Sequence, residues 1–168
     1  MTPIEQMVSR NVVVETDENK GSGIILSTGL VLSVFHVLEN NSTVTVDGKE
    51  AEVVFVRPEM DIVVLKTETR EIPDIVFSTD FGVLTQVFQI GNPLKLTGVM
   101  STGRVVFYDK KYLYLDTLAV KGFSGGGVYN AQGELLGIVQ TMMGIGGSGS
   151  WIIRALKSEE IIKALEKK

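Results

Sequence analysis

The sequence predicts an all-β protein in two halves, followed by one C-terminal helix. Short runs rich in Val, Ile and Leu recur along the chain, separated by Gly, Asn, Asp and Lys, which is typical of strands joined by tight turns. An irregular segment at 66–85, which holds Pro73 and scattered charges, divides these runs into two groups of six. Only the last residues show helical spacing. Antiparallel sheets of this size close into barrels or stack as sandwiches, and periodicity alone does not choose between them.

The first half contains six predicted strands. They cover residues 11–14, 22–26, 30–35, 43–46, 51–56 and 61–65. Asp47-Gly48, between the fourth and fifth runs, is a strong signal for a two-residue hairpin turn.

The second half also contains six predicted strands, and a predicted helix follows them. Its predicted strands cover residues 86–90, 99–108, 112–116, 127–130, 134–141 and 150–154. Gly133 is expected in the left-handed position of a hairpin loop at 130–133. Ser158 is predicted to cap a helix over 158–168, because Glu159 and Glu160 at its start and Lys167 and Lys168 at its end match the helix dipole. We therefore expect one domain over 1–78 and a second over 79–168.

Composition excludes several classes of function. The 168 residues are 44% hydrophobic and 21% charged with a net charge of −4, which is typical of a soluble globular protein and gives no basic surface for nucleic acid. The chain has no cysteine and a single histidine, His36, so we expect no metal and no cofactor. Residues 1–10 do not resemble a signal peptide and no apolar run is long enough to span a membrane. These features predict a cytoplasmic location, unless a leader has been trimmed away.

The segment KGFSGGGVYN, residues 121–130, places Ser124 inside a run of glycines. Glycine in a strand context costs conformational entropy and packs poorly, so such a run indicates a close approach of backbone to something else. A flexible hairpin connection is the alternative. The pattern G-x-S-x-G also occurs in α/β-hydrolases, but there a helix follows the serine and the histidine comes later in the chain, whereas His36 precedes Ser124.

The order His36, Asp61, Ser124 is that of chymotrypsin-type enzymes. The sequence resembles the trypsin-like protease domain of HtrA/Deg serine proteases in six successive blocks, at 21–37, 61–66, 89–93, 101–106, 115–139 and 150–155. The resemblance implies two antiparallel six-stranded β-barrels. It further implies that His36 is the general base, Asp61 its orienting carboxylate and Ser124 the nucleophile, with the amides of Gly122 and Ser124 forming the oxyanion hole.

The same resemblance suggests how a substrate binds. It puts Leu118 at the base of the pocket for the residue before the cleaved bond (P1), with Ala119 and Val120 beside it. Gln140, Thr141 and Met142 lie where the family pairs substrate backbone as an added strand. No carboxylate is placed to hold Arg or Lys, so we expect a small or medium apolar P1 residue. For Met142 and Met143, core filling is the alternative.

The expected function is therefore serine endopeptidase activity on peptide or protein substrates. A non-catalytic peptide-binding module of the same fold is the main alternative, and a purely structural barrel is the other. Many relatives append a PDZ domain, but the sequence stops at the terminal helix, so we expect none in this chain. No nucleic-acid or membrane partner is expected, and the oligomeric state stays open.

Overall fold

Two closed antiparallel barrels of six strands each form the body of the protein. The structure is a computed structural model that describes residues 1–39 and 43–166. Around the first barrel the strands follow the order β1-β2-β3-β6-β5-β4, and around the second β10-β11-β12-β9-β8-β7. The predicted all-β fold of two six-stranded barrels with a C-terminal helix is confirmed.

The first barrel carries short strands linked by tight turns. It contains β1 (Asn11–Glu15), β2 (Lys20–Ser27), β3 (Leu30–Ser33), β4 (Val44–Val46), β5 (Lys49–Arg57) and β6 (Ile62–Lys66). Along β1 the valines at 12 and 14 point inward and their neighbours outward, which is the period of two expected for one buried face. Asp47 and Gly48 both have positive φ, 49° and 83°, as the predicted two-residue hairpin requires.

The third predicted strand is shorter than expected, and a helical turn replaces its end. β3 stops at Ser33, and α2 (Phe35–Leu38) follows. A 3₁₀ turn, Pro58–Met60, likewise precedes β6, so Asp61 lies just before the strand rather than in it. These two turns carry the residues that face the second barrel.

The second barrel contains β7 (Gln86–Gly91), β8 (Val99–Tyr108), β9 (Tyr112–Leu115), β10 (Gly127–Tyr129), β11 (Leu135–Gly144) and β12 (Trp151–Lys157). Gly133 has φ 83°, as predicted for the hairpin between β10 and β11. The segment between β6 and β7 is largely irregular and contains one isolated bridge, from Phe77 to Leu135. The proposed domain boundary after residue 78 falls within this connection.

Helices close both ends of the described chain. α1 (Pro3–Arg10) was not predicted; it begins with a capping box in which the Thr2 hydroxyl accepts from the Glu5 amide and the Glu5 carboxylate accepts from the Thr2 amide. α3 (Ser158–Glu166) matches the predicted terminal helix. Ser158 is its first residue, and its buried hydroxyl donates to the Leu135 carbonyl instead of capping the helix. Lys167 and Lys168, expected at the helix end, lie outside the described residues.

The main hydrophobic core crosses from one barrel to the other. Val12, Ile24 and Leu32 of the first barrel share a cluster with Ile138 of the second and Ile161 of α3. A smaller cluster, centred on Val105 and Leu113, fills the rest of the second barrel. The shared cluster holds the facing loops of the two barrels against each other.

Candidate active site

The loop that carries Ser124 is fixed from both barrels. The Ser124 carbonyl accepts from the Ser22 amide of β2 at 2.8 Å, and the Gly125 amide donates to the Val139 carbonyl of β11 at 2.8 Å. The Ser124 hydroxyl donates to the carbonyl of Gln140 at 3.3 Å. The serine backbone is therefore held at the seam between the barrels, with its side chain pointing along β11.

The glycines around Ser124 allow backbone to approach backbone. Gly125 has φ 91°, and a Cβ there would lie 1.9 Å from the Ser22 carbonyl oxygen. Gly122 has φ 107°, and its Cβ would lie 2.7 Å from the Asn92 carbonyl oxygen. A side chain at 125 would push the two barrels apart, and one at 122 would displace the backbone that follows β7 in the second barrel. The flexible-hairpin alternative does not fit this packing, and the close neighbours are protein backbone.

His36 and Asp61 form a direct pair. His36 lies on α2, and Asp61 adopts a left-handed backbone, φ 55°, at the end of the 3₁₀ turn. The Asp61 carboxylate accepts from the His36 backbone amide at 2.8 Å and lies 2.6 Å from the imidazole Nδ1. One carboxylate thus sets both the backbone and the ring of the histidine, which leaves Nε2 as the free ring nitrogen.

The Asp61 carboxylate also changes the acidity of the imidazole. The pKa of His36 is raised, chiefly because Asp61 hydrogen-bonds the protonated ring; burial opposes this and the charges of Asp61 and Glu39 add to it. The His36 side chain is 40% exposed, so its ring is accessible from the cleft.

The backbone amides of Gly122 and Ser124 have no protein acceptor in the described part of the chain. The Lys121 carbonyl accepts from the Leu94 amide at 3.1 Å, and no peptide bond of the described residues is cis. Because C=O and N–H point in opposite directions across a trans peptide, the Gly122 amide points away from Leu94. Within residues 1–39 and 43–166, neither the Gly122 nor the Ser124 amide donates to a protein acceptor.

His36, Ser124 and Gly122 line one cleft of about 470 Å³. Its remaining walls are Glu39, Val120, Lys121, Phe123, Val139, Gln140, Thr141, Met142 and Ile153. No hydrogen bond joins Ser124 to His36 in the described part of the chain; the serine proton goes to Gln140. The predicted residues thus share one surface, with the serine rotated toward β11.

Two of the residues predicted to bind substrate lie elsewhere. Leu118 and Ala119 are not among the described residues that line the cleft. Leu118 is 46% exposed, and its backbone is held by Ser101 and Gln89. Val120, Val139 and Ile153 supply the apolar wall instead. Met142 is 37% exposed and lines the cleft, so core filling does not describe it.

Gln140 is a bulge residue whose side chain leaves the substrate face. The pairing of β11 with β12 shifts between Val139 and Thr141, which places Gln140 at the irregularity. Its buried side-chain amide donates to the Met60 carbonyl at 2.7 Å and to the Asp61 carbonyl at 3.5 Å. The sequence predicted that the Gln140 backbone would pair with substrate. It did not indicate that the Gln140 side chain is hydrogen-bonded to the turn before β6.

Asn92 and Ser22 form a second set of hydrogen bonds between the barrels that the sequence did not predict. The Ser22 hydroxyl donates to the Gly122 carbonyl at 2.8 Å and accepts from the backbone amide of Asn92 at 2.9 Å. The fully buried Asn92 side chain donates to the Val12 carbonyl at 2.9 Å. Both residues lie in segments that resemble the HtrA/Deg proteases, but neither their residue types nor their spacing indicates a hydrogen bond between the barrels.

No group of three His, Asp or Glu side chains among the described residues could hold a metal ion. None of the helices in that part of the chain has the length and apolar character that crossing a membrane requires.

Comparisons with known proteins agree with this architecture. The trypsin-like peptidase domain matches residues 21–138. A putative serine protease HhoB of Synechocystis sp. is 34% identical over 142 residues, which cover 73% of this chain and 34% of that protein. A probable periplasmic serine endoprotease, DegP-like, of Brucella suis is 29% identical over 171 residues, covering 89% of this chain and 33% of that protein.

A solved structure extends the match to nearly the whole chain. The serine endoprotease from Yersinia pestis has a TM-score of 0.86 and 26% identity, covering 98% of this chain and 64% of that one. The chain spans about a third of the length of the two curated relatives. It therefore belongs to the trypsin-like peptidase family and is a protease domain of the HtrA/Deg type.

Proposed function

We propose that this domain is a serine endopeptidase that uses His36, Asp61 and Ser124 as its catalytic triad. The observation that carries the proposal is that the His36–Asp61 pair and Ser124 face one cleft, beside two amides without acceptors. A hydroxyl is a weak nucleophile at neutral pH unless a neutral imidazole takes its proton, and a carboxylate on the other ring nitrogen keeps that imidazole in the required tautomer.

The proposed reaction begins when the Ser124 hydroxyl turns from the Gln140 carbonyl toward His36 Nε2. Catalytic hydrogen bonds of this kind are often long or misaligned before substrate binds. The oxygen attacks the peptide carbonyl while His36 takes its proton, and the amides of Gly122 and Ser124 donate to the resulting oxyanion. His36 then protonates the leaving amine, and water hydrolyses the acyl-enzyme by the same route.

Substrate selection follows from the walls of the cleft. Val120, Val139 and Ile153 present apolar surface beside Ser124, which supports a small or medium apolar P1 residue. We assign this selection to these three residues in place of Leu118 and Ala119. Residues 141–144 of β11 pair only with β12 within the described chain, so their other edge is open to a substrate strand.

Fluorophosphonate labelling tests the proposal most directly, because the probe reacts only with an activated serine. We expect one label per chain on Ser124, loss of labelling in Ser124→Ala, and cleavage of unfolded protein after apolar residues. A protein that binds an extended peptide equally well as wild type and as Ser124→Ala, and takes no label, would instead be the peptide-binding module.

The location of the protein is a separate question. The Brucella relative is named as periplasmic, which supports a location outside the cytoplasm over the cytoplasmic one predicted from the sequence. Fractionation of the source cells, followed by detection of the domain with an antibody, distinguishes the two.

A further inference from the structure

The loop 93–98, between β7 and β8, supports the peptide that carries the Gly122 amide. Its Leu94 amide donates to the Lys121 carbonyl at 3.1 Å. That bond fixes the plane of the Lys121–Gly122 peptide, and hence the direction in which the Gly122 amide points. If the loop moved, the peptide could rotate and turn its amide out of the cleft.

Apart from the buried Pro93, the side chains of this loop do not anchor it. Leu94 is 64% exposed and Leu96 is 56% exposed, so neither packs into a core. Leu94 also adopts a left-handed backbone with φ 56°, which is unfavourable for a residue with a Cβ. Beyond Pro93 the loop is held by polar contacts, one of which is the Gly98 amide donating to the Asn92 side chain at 3.0 Å.

Lys20 supplies the contacts that reach the loop from the other barrel. Its ammonium donates to the Leu94 carbonyl at 2.7 Å and to the Leu96 carbonyl at 3.1 Å. Lys20 is the first residue of β2, two positions before Ser22, whose hydroxyl donates to the Gly122 carbonyl. The start of one strand thus holds both the loop and the Gly122–Phe123 peptide, which directly follows the peptide that the loop orients.

We propose that Lys20 is a positioning residue for the oxyanion hole: its ammonium fixes the 93–98 loop, and the Leu94 amide then fixes the direction of the Gly122 amide. This inference rests on the proposed function. Its structural half, that Lys20 orders the Leu94 amide, can be tested without any activity.

The test compares Lys20→Met, Lys20→Arg and Lys95→Met. Methionine keeps much of the length of lysine but removes the donor, whereas arginine keeps a charged donor. Lys95 lies in the same loop and has no hydrogen bond or ion pair among the described residues, so Lys95→Met removes the same charge without breaking a contact.

The first readout is exchange of the Leu94 amide, followed by NMR. We expect faster exchange in Lys20→Met, and wild-type rates in Lys95→Met and nearly so in Lys20→Arg. The second readout is kinetics. Lys20→Met should lower kcat for an apolar peptide ester about tenfold with KM nearly unchanged, a smaller loss than the roughly 10²- to 10³-fold from removing an oxyanion donor outright.

The outcomes distinguish a failure of the proposed role of Lys20 from a failure of the proposed protease activity. Equal Leu94 exchange in Lys20→Met and Lys95→Met overturns the inference, even in a fully active enzyme. Faster exchange with an unchanged kcat also overturns it, because the loop would then not control the amide. A wild-type protein that takes no fluorophosphonate refutes the proposed function, and the exchange comparison still decides whether Lys20 orders the loop.

Discussion

His36 is the only histidine of the chain, and the Asp61 carboxylate occupies its Nδ1. This pair could be predicted from the sequence, because the order His, Asp, Ser and the family blocks point to it. The second bond from Asp61, to the His36 backbone amide, could not be predicted. It depends on a helical turn at 35–38, where the run of apolar residues predicted the end of a strand instead.

The raised pKa of His36 predicts the acid limb of the activity profile. Since the general base must be neutral, kcat/KM should fall as pH drops through the His36 pKa, which we expect above the ordinary value of about 6.5. Removing the carboxylate in Asp61→Asn should move this midpoint down and lower kcat by about 10⁴, as in triads generally.

NMR titration of the single imidazole measures the same pKa without turnover. The protonated ring bonded to Asp61 also stabilises the fold; this contribution is complete below the unfolded pKa and is lost as pH rises through the folded one. A wild-type midpoint at or below about 6.5, or one that Asp61→Asn leaves unchanged, would show that Asp61 does not tune the histidine.

At the scale of elements, the twelve strands were found because each run is short, apolar and bounded by turn residues. Residues 3–10 were not recognised as helical, although the Thr2-Pro3-x-Glu5 signal of a capping box is present. Val120 was expected near the P1 pocket, but the apolar wall at Val139 and Ile153 was missed for a different reason. Distance along the chain from Ser124 does not show which side chains of two neighbouring strands line the cleft.

The loop carrying Ser124 offers a prediction on the role of its glycines. Gly122→Ala should lower kcat by about 10²- to 10³-fold, since its Cβ would meet the Asn92 carbonyl and displace the amide beside the cleft. Gly48→Ala is the matched control: its φ is 83° and a Cβ there meets nothing within 4 Å.

Both variants carry the cost of a left-handed alanine, about 1–3 kcal/mol each, so thermal unfolding should shift in both. Only Gly122→Ala should lose activity at a temperature where both are folded. If the two variants kept equal kcat, the packing of Gly122 against Asn92 would not matter for catalysis.

At the scale of the whole molecule, the two barrels share one core and a seam of hydrogen bonds. The cluster that joins Val12 and Ile24 to Ile138 belongs to both barrels, and only the smaller cluster around Val105 and Leu113 lies in the second barrel alone. Catalysis as proposed needs this arrangement, because His36 and Asp61 come from one barrel and Ser124 from the other. We therefore expect the barrels to unfold in one cooperative transition, although the chain divides into two similar halves.

Asn92→Ala tests this coupling at the seam. The change removes the donor to the carbonyl of the buried Val12, and a buried group left unpaired costs about 1–3 kcal/mol, so we expect roughly 1–3 kcal/mol of destabilisation. It also removes the acceptor of the amide of Gly98, which is exposed to water. Asn130→Ala is the control, because the Asn130 side chain bonds only within its own hairpin among the described residues.

Calorimetry and the fluorescence of Trp151, the single tryptophan, follow the unfolding. Trp151 lies in the second barrel, so its signal reports that barrel alone, whereas heat absorption reports both. With a shared core, the two midpoints should coincide in wild type and move down together in Asn92→Ala, by more than in Asn130→Ala. Midpoints that separate in Asn92→Ala would mean that each barrel is stable on its own and that the seam only aligns them.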